Sequence, residues 1–325
     1  MTLALATDEL TKDYAIGFWR KRPYRALDRL TIGVQAGEVF GFLGPNGAGK
    51  TTTLKLLMQL VYPTGGRAEI LGRPVGDLDV KRRIGYLPEN PYFYDHLTAE
   101  ELLRYFAGLF GYDAGERRAR ASRLLDQVGI GAERRLQLRK FSKGMLQRVG
   151  IAQALINDPE LVILDEPMSG LDPLGRRDVR TLILALRDRG CTVFFSSHVL
   201  SDAEALCDRV AILAKGRLVA DGRLTEMLAF RARGWELIVA GASDAAIDRV
   251  RPAARRIVRI GDGRYSLELP LEPPPEALLG QLTTMGAHLV SLNPLRETLE
   301  DFFVEHVNAP GLAQTDRFHT PSRTT

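Results

Sequence analysis

The chain has 325 residues, 44 Lys+Arg against 40 Asp+Glu for a formal net charge of +4, and is 45% hydrophobic and 26% charged. At about 150 residues per domain this is the length of about two domains, each able to bury a core without disulfide or metal staples. With no apolar run near the roughly 18 residues of a membrane span, no basic opening of a secretory signal and no CxxC pattern around Cys191 and Cys207, the composition excludes an integral membrane protein, a secreted disulfide scaffold and a zinc-built module, and so mild a charge marks no nucleic-acid binder.

The first forty residues alternate like antiparallel strands: LALATDEL, YRALDRLTIGV and EVFGFLG, with Gly37-Glu38 turning into the third. The basic cluster Arg20, Lys21, Arg22, Arg25 and Arg29 reads as a solvated hairpin, with an anionic membrane surface or an acidic partner as the alternative. EVFGFLG reads as a short buried strand that ends in a glycine-rich loop. A helix is predicted from Lys50, with Leu54, Leu57, Met58 and Val61 on its apolar face and Pro63-Thr64-Gly65-Gly66 as its stop. Strands are expected around Arg67–Ile70 and Arg83–Leu87. From Leu97 to Asn157 the pattern changes to successive amphipathic helices, each closed by Gly, Pro or Asn.

LVILD and TVFFSS, separated by the helix DPLGRRDVRTLILALRDRG, are continuous apolar or β-branched runs of the kind that parallel strands buried on both faces require. A turn at Ala214–Arg217 joins two further strands. A second unit is expected over 228–307, in the order strand, helix, strand, strand, helix, strand, which is that of a ferredoxin-like α+β sandwich. A last helix is expected at LRETLEDFFVEHV, and 308–325 is polar and expected to be disordered.

Two stretches carry chemistry. Gly44-Pro45-Asn46-Gly47-Ala48-Gly49-Lys50-Thr51, with Thr52 directly after it, fits G-x-x-x-x-G-K-[ST] between a strand and a helix, the context that makes it a phosphate-binding loop. Its glycines let backbone N–H groups face phosphate oxygens, and the helix terminus adds positive charge. Lys50 supplies a point charge to the β- and γ-phosphates, and Thr51 offers a hydroxyl to Mg²⁺. In LVILDEP, Asp165 ends a buried strand where it can hold Mg²⁺ through water, and Glu166 can polarise a water for in-line attack.

These and further motifs, in one order over residues 4 to about 224, resemble the nucleotide-binding subunits of ATP-binding cassette (ABC) transporters. Phe141 to Arg148 resembles the signature LSGGQxQR, Ser169-Gly170-Leu171-Asp172 the D-loop, and GYLPE, ending at Glu89, the Q-loop. His198 stands where the family has its switch histidine, and Tyr14 where it has an aromatic that stacks on adenine. Phe18 and Trp19, in a hairpin longer than usual, are alternatives for that stacking role. Phe141, Lys143 and Met145 depart from the signature, whereas Ser142 and Gly144, which would touch γ-phosphate, are kept. Glu89 replaces Gln, and a carboxylate there can still coordinate Mg²⁺ or orient water.

The resemblance implies an α/β P-loop NTPase core at 1–224, with an N-terminal antiparallel β subdomain and an inserted helical subdomain at about 89–159. It implies an ATPase using Mg²⁺, with Glu166, His198 and Glu89 as the catalytic group. Two subunits, identical or homologous, would sandwich two ATP molecules between one chain's loop and the other's Ser142, Gly144 and Asp172. A separate membrane permease is implied as partner, with no nucleic acid, and a place on the cytoplasmic face of the membrane. The single cassette with a small α+β extension is similar to export-type systems. A soluble cassette ATPase of translation or DNA repair is the other class, but such relatives carry two cassettes, a long coiled coil or zinc cysteines.

Overall fold

Burial follows the runs of apolar residues closely. The computed structural model describes residues 2–17, 22–227, 232–296, 298–301 and 303. Residues up to Leu224 form one compact unit, and a second begins at Thr225. The first unit opens with β1 (Leu3–Ile16), β2 (Arg22–Gln35), β3 (Val39–Leu43), α1 (Lys50–Leu57), β4 (Gly65–Ile70) and β5 (Arg73–Pro74). Then come α2 (Leu78–Lys81), β6 (Ile84–Leu87), α3 (Ala99–Leu109), α4 (Ala114–Gln127), α5 (Lys143–Ala154) and β7 (Leu161–Asp165). It closes with α6 (Pro173–Asp188), β8 (Thr192–Ser197), α7 (Leu200–Glu204), β9 (Arg209–Ala214) and β10 (Arg217–Arg223).

Two sheets frame the core. One is antiparallel, in the order β2-β1-β4-β5. The other has the order β10-β9-β3-β8-β7-β6, parallel except for its edge strand β10. The expectation that EVFGFLG would continue the antiparallel sheet is corrected here: β3 crosses to the centre of the parallel sheet, between β8 and β9. All five of its residues are buried, as a strand covered on both faces must be. Phe40 stacks on Phe194 of β8 with ring centroids 5.6 Å apart and 7° between planes, and Phe42 closes on the same ring at 5.4 Å. Such pairs add about 0.5–1.5 kcal/mol each to simple burial.

Helix α1 shares one core cluster with both sheets: Leu54, Leu56 and Leu57 meet Leu27 and Leu30 of the antiparallel sheet and Phe42, Ile163 and Leu213 of the parallel one. It ends at Leu57, earlier than predicted, so Val61 is loop, and Gly65-Gly66 begin β4 instead of merely ending a helix. The helical region is made of α3, α4 and α5, with α3 held by a Thr98–Glu101 capping box and α4 by the Asp113 carboxylate.

After the short α8 (Leu224–Met227), the second unit runs β11 (Ala232–Ala240), α9 (Asp244–Val250), β12 (Arg256–Gly261), β13 (Arg264–Leu269), α10 (Pro275–Thr284) and β14 (His288–Arg296). Its sheet has the order β12-β13-β11-β14, with every neighbouring pair antiparallel, and Leu237, Val239, Leu267, Ile247 and Leu282 in its core. The final helix does not begin at Leu295, because β14 continues through Arg296 to pair with Ala232; helical backbone begins at Leu299, behind the Thr298 cap. The rest of that expected helix and the 308–325 segment lie outside the described residues.

Candidate active site

The loop after β3 is stitched to its surroundings from several sides. Gly44 N–H donates to Ser197 O at the end of β8 (3.3 Å), while Ala48 O accepts the Gly216 N–H (2.9 Å) from the β9–β10 turn. Gly216 O in turn accepts the Asp28 N–H of β2 (2.8 Å). Two glycines are required by space as well as by conformation. Gly49 has φ 108°, and a Cβ there would lie 2.6 Å from Ala26 O; Gly44 has φ 155°, and its Cβ would lie 2.3 Å from Leu213 O. Gly49 caps α1 with no side-chain partner, and no acid stands in the first turn, so the positive end of the helix is left for an anion.

A cavity of about 360 Å³ opens over this loop, lined by Asn46, Gly47, Ala48, Gly49, Lys50, Thr51 and Thr52, with Tyr14 at one side and Glu89, Glu166, Ser169 and His198 at the other. Lys50 is buried. Its Nζ donates to Gly44 O (2.7 Å) and Pro45 O (3.4 Å) and sits 3.4 Å from Glu166 Oε1. The other Glu166 oxygen, Oε2, is 2.8 Å from His198 Nδ1. An ionised carboxylate can only accept, so Nδ1 carries the proton in that contact. Glu166 itself has φ 51°, a left-handed conformation that a side-chain-bearing residue keeps only when its surroundings impose it.

Asp165 lies just behind, 1% exposed. Its Oδ1 accepts the Ser196 hydroxyl at 2.5 Å, and Ser196 Oγ also accepts the Glu166 N–H at 3.1 Å. Asp165 Oδ2 is buried without a hydrogen-bond partner. Burial pushes the Asp165 carboxyl above its ordinary range; the Ser196 and Thr51 hydroxyls oppose this, the charge of Glu89 adds to it and that of Lys50 works against it. The carboxyl therefore has one oxygen fixed and one left open beside Thr51.

Ser142, Gly144 and Asp172 are not brought to this cavity. They line a second one of about 320 Å³, with Gly129, Arg148 and Leu171. Ser142 caps α5, accepting the Met145 N–H (3.2 Å), and Asp172 caps α6, accepting the Gly175 N–H (2.7 Å). Lys143 lays its methylene stem along Gly170. Gly44, Pro45 and Asp165 support the first cavity from behind without lining it. Tyr14 lines it, half-buried, with Lys12 Nζ 5.1 Å from its ring centroid. Phe18 and Trp19 lie outside the described residues.

Sequence reasoning missed three participants. Tyr24 is the register partner of Tyr14 across the β1–β2 ribbon and also lines the cavity; alternation about the hairpin carries that signal, but only once the register is known. Ser196 and Gln147 stand within quoted motifs, yet their contacts reach across 19 or more residues of chain. Nothing local announces them.

The family model described as ABC transporter matches residues 27–169. An uncharacterized ABC transporter ATP-binding protein of Synechocystis is 47% identical over 94% of this chain and 85% of its own length. A fluoroquinolones export ATP-binding protein of Mycobacterium tuberculosis is 44% identical over 62% of this chain and 66% of its own. Among solved structures, a dimeric ATP-binding cassette in a post-hydrolysis state, bound to ADP and Pi, superimposes with a TM-score of 0.63 at 27% identity, covering 68% of this chain and 98% of that one. The chain thus belongs to the ATP-binding subunits of ABC transporters, enzymes that bind and hydrolyse ATP.

Proposed function

We propose that two copies of this chain close around two ATP molecules, each held between one chain's Lys50 loop and the other chain's Ser142, Gly144 and Asp172, and that this closure drives a separate membrane permease in export. The observation that carries the reading is the division of the site. One cavity collects the loop, Glu166 and His198, while the signature residues line another in the same chain, so each is half of a composite pocket.

Within that pocket Lys50 would exchange Gly44 O and Glu166 for phosphate oxygens, and Tyr14, with Tyr24 opposite, would take the base. Magnesium fits the described residues: the open Asp165 Oδ2 and the Thr51 hydroxyl would hold it, with Glu89 at the rim. When bound, it supplies positive charge to the β- and γ-phosphate oxygens. His198 fixes Glu166 Oε2, which leaves Oε1 to take a proton from the attacking water, a role worth about 10²–10⁴ in rate.

Among the described residues no helix is long and apolar enough to cross a membrane. We assign the chain to the cytoplasmic face, held there by the permease. The exposed Tyr92, Tyr94, Tyr105, Leu109 and Phe110, beside the Glu89 segment and on α3 and its C-terminal cap, support docking on that side. Export is supported by the relative whose name states it.

Glu166→Gln tests the reading. It keeps the acceptor geometry and removes the base, so the variant is expected to bind Mg-ATP, double its mass by light scattering and lose at least about a hundredfold in turnover. A variant that stays monomeric with ATP refutes the composite pocket, and one with normal turnover refutes Glu166 as the base.

A further inference from the structure

Gln147 is an uncharged polar side chain, 1% exposed, on the interior face of α5. Its Nε2 donates to two successive main-chain carbonyls, Glu166 O at 3.2 Å and Pro167 O at 3.3 Å. A carboxamide nitrogen has two protons, so both are committed to one short stretch of backbone. Glu166 O also accepts the Ser169 N–H at 3.0 Å, closing a tight turn. That turn begins at the left-handed Glu166, the kind of conformation that neighbouring contacts have to enforce.

The segment 166–172 then runs from the first cavity, lined by Glu166 and Ser169, to the second, lined by Leu171 and Asp172. Helix α5 spans the same interval. Ser142 caps it at the second cavity, and Gln147 stands five residues on, about 7 Å along the axis.

We propose that Gln147 is the positioning residue for Glu166, and that α5, through Gln147, links the seating of a partner chain's ATP on Ser142 to the aim of this chain's own carboxylate. The proposal deepens the reading of Glu166 as base and of Ser142 as a contact made in trans, and rests on it. A helix is stiff along its axis because its hydrogen bonds run that way, so a displacement at its cap is delivered to Gln147 and on to the Glu166 carbonyl.

Two variants of the full chain test it. Gln147→Met keeps the volume and removes both donors; Gln147→Asn keeps the donors but is one methylene too short to reach. Both are expected to lower single-turnover hydrolysis roughly ten- to a hundredfold, the loss of two buried hydrogen bonds expressed in rate, with nucleotide affinity unchanged within about twofold. In a Glu166→Gln background neither should lower the residual rate further, because the group being aimed is gone. In mixed dimers, Ser142→Ala and Gln147→Met should combine less than multiplicatively on one chain and multiplicatively on opposite chains.

Unchanged turnover overturns the proposal, as does an equal loss in the Glu166→Gln background. So does a joint collapse of melting temperature, affinity and rate, which would make Gln147 a packing residue only. Multiplicative behaviour in both dimer arrangements overturns the link through α5. If Glu166→Gln chains never pair on ATP, the composite-pocket reading fails and the link falls with it, while the single-turnover arm still decides whether Gln147 aims Glu166.

Discussion

Asp165→Asn probes the electrostatics of the site while leaving its shape almost unchanged. Asp165 is buried, one oxygen holds Ser196, and the other has no hydrogen-bond partner. Burial raises its pKa above the usual 3.8, the Ser196 and Thr51 hydroxyls pull it back, the Glu89 charge adds to the rise and Lys50 opposes it. A carboxyl raised in the fold contributes stability that is complete below its unfolded pKa and is lost as pH rises through the folded value. Near neutral pH the nucleotide-free protein therefore carries a charge its fold disfavours. Asparagine removes the charge, keeps an acceptor for Ser196 and puts an N–H₂ where Oδ2 was. An unpartnered buried polar group costs about 1–3 kcal/mol and a charged one more, so exchanging carboxylate for amide recovers a difference of about that order. In a unit of this size about 1 kcal/mol corresponds to about 2–4 °C. Without nucleotide, the variant is thus expected to melt about 2–12 °C above the parent at about pH 7.5 in a thermal-shift assay, with the gap shrinking as the pH falls through the raised folded value towards the usual 3.8. With Mg-ADP the parent should gain more than the variant. A variant that melts lower without nucleotide, or a gap that widens on acidification, refutes the reasoning.

Gly49→Ala should cost about 1–3 kcal/mol and weaken nucleotide binding, since the new Cβ meets a backbone oxygen at 2.6 Å that no rotamer change can move; thermal melts and calorimetry check both. Burial pushes the Cys191 thiol up to about 11, so at about pH 8 a disulfide dye should leave Cys191 unlabelled in the native protein and label it after denaturation. Deleting 228–325 should leave nucleotide affinity unchanged by calorimetry, and loss of binding would make the extension part of the nucleotide unit.

The loop, the strand ending in Asp165 and the order of motifs were readable because each is a local pattern: glycine spacing, a run of apolar residues, a carboxylate at a strand end. The position of β3 was not. Val39–Leu43 follows two alternating strands by a short turn, and adjacency in sequence argued for adjacency in the sheet. The stronger signal was its unbroken apolar run, which only a strand covered on both faces can use. Helix α1 reads too long from the sequence because its apolar spacing continues through Val61, although Val61 packs on the same core from a loop. At the other end, β14 keeps Leu295 because pairing with β11 outweighs the helical pattern that starts there. Gln147 and Ser196 were invisible as participants because their roles lie in contacts with backbone far along the chain.

Gly44 presses on Leu213 of β9, and Gly49 on Ala26 of β2. The anion cradle is therefore clenched between two layers, which also meet beside it where Gly216 O takes the Asp28 N–H. Fraying at β2 would withdraw the Ala26 carbonyl and let the cradle sag, although Ala26 offers phosphate no charge and no proton. Much of what makes the loop rigid enough to grip is thus supplied by the outer ribbon, and a mutation screen confined to the recognised motifs would overlook it.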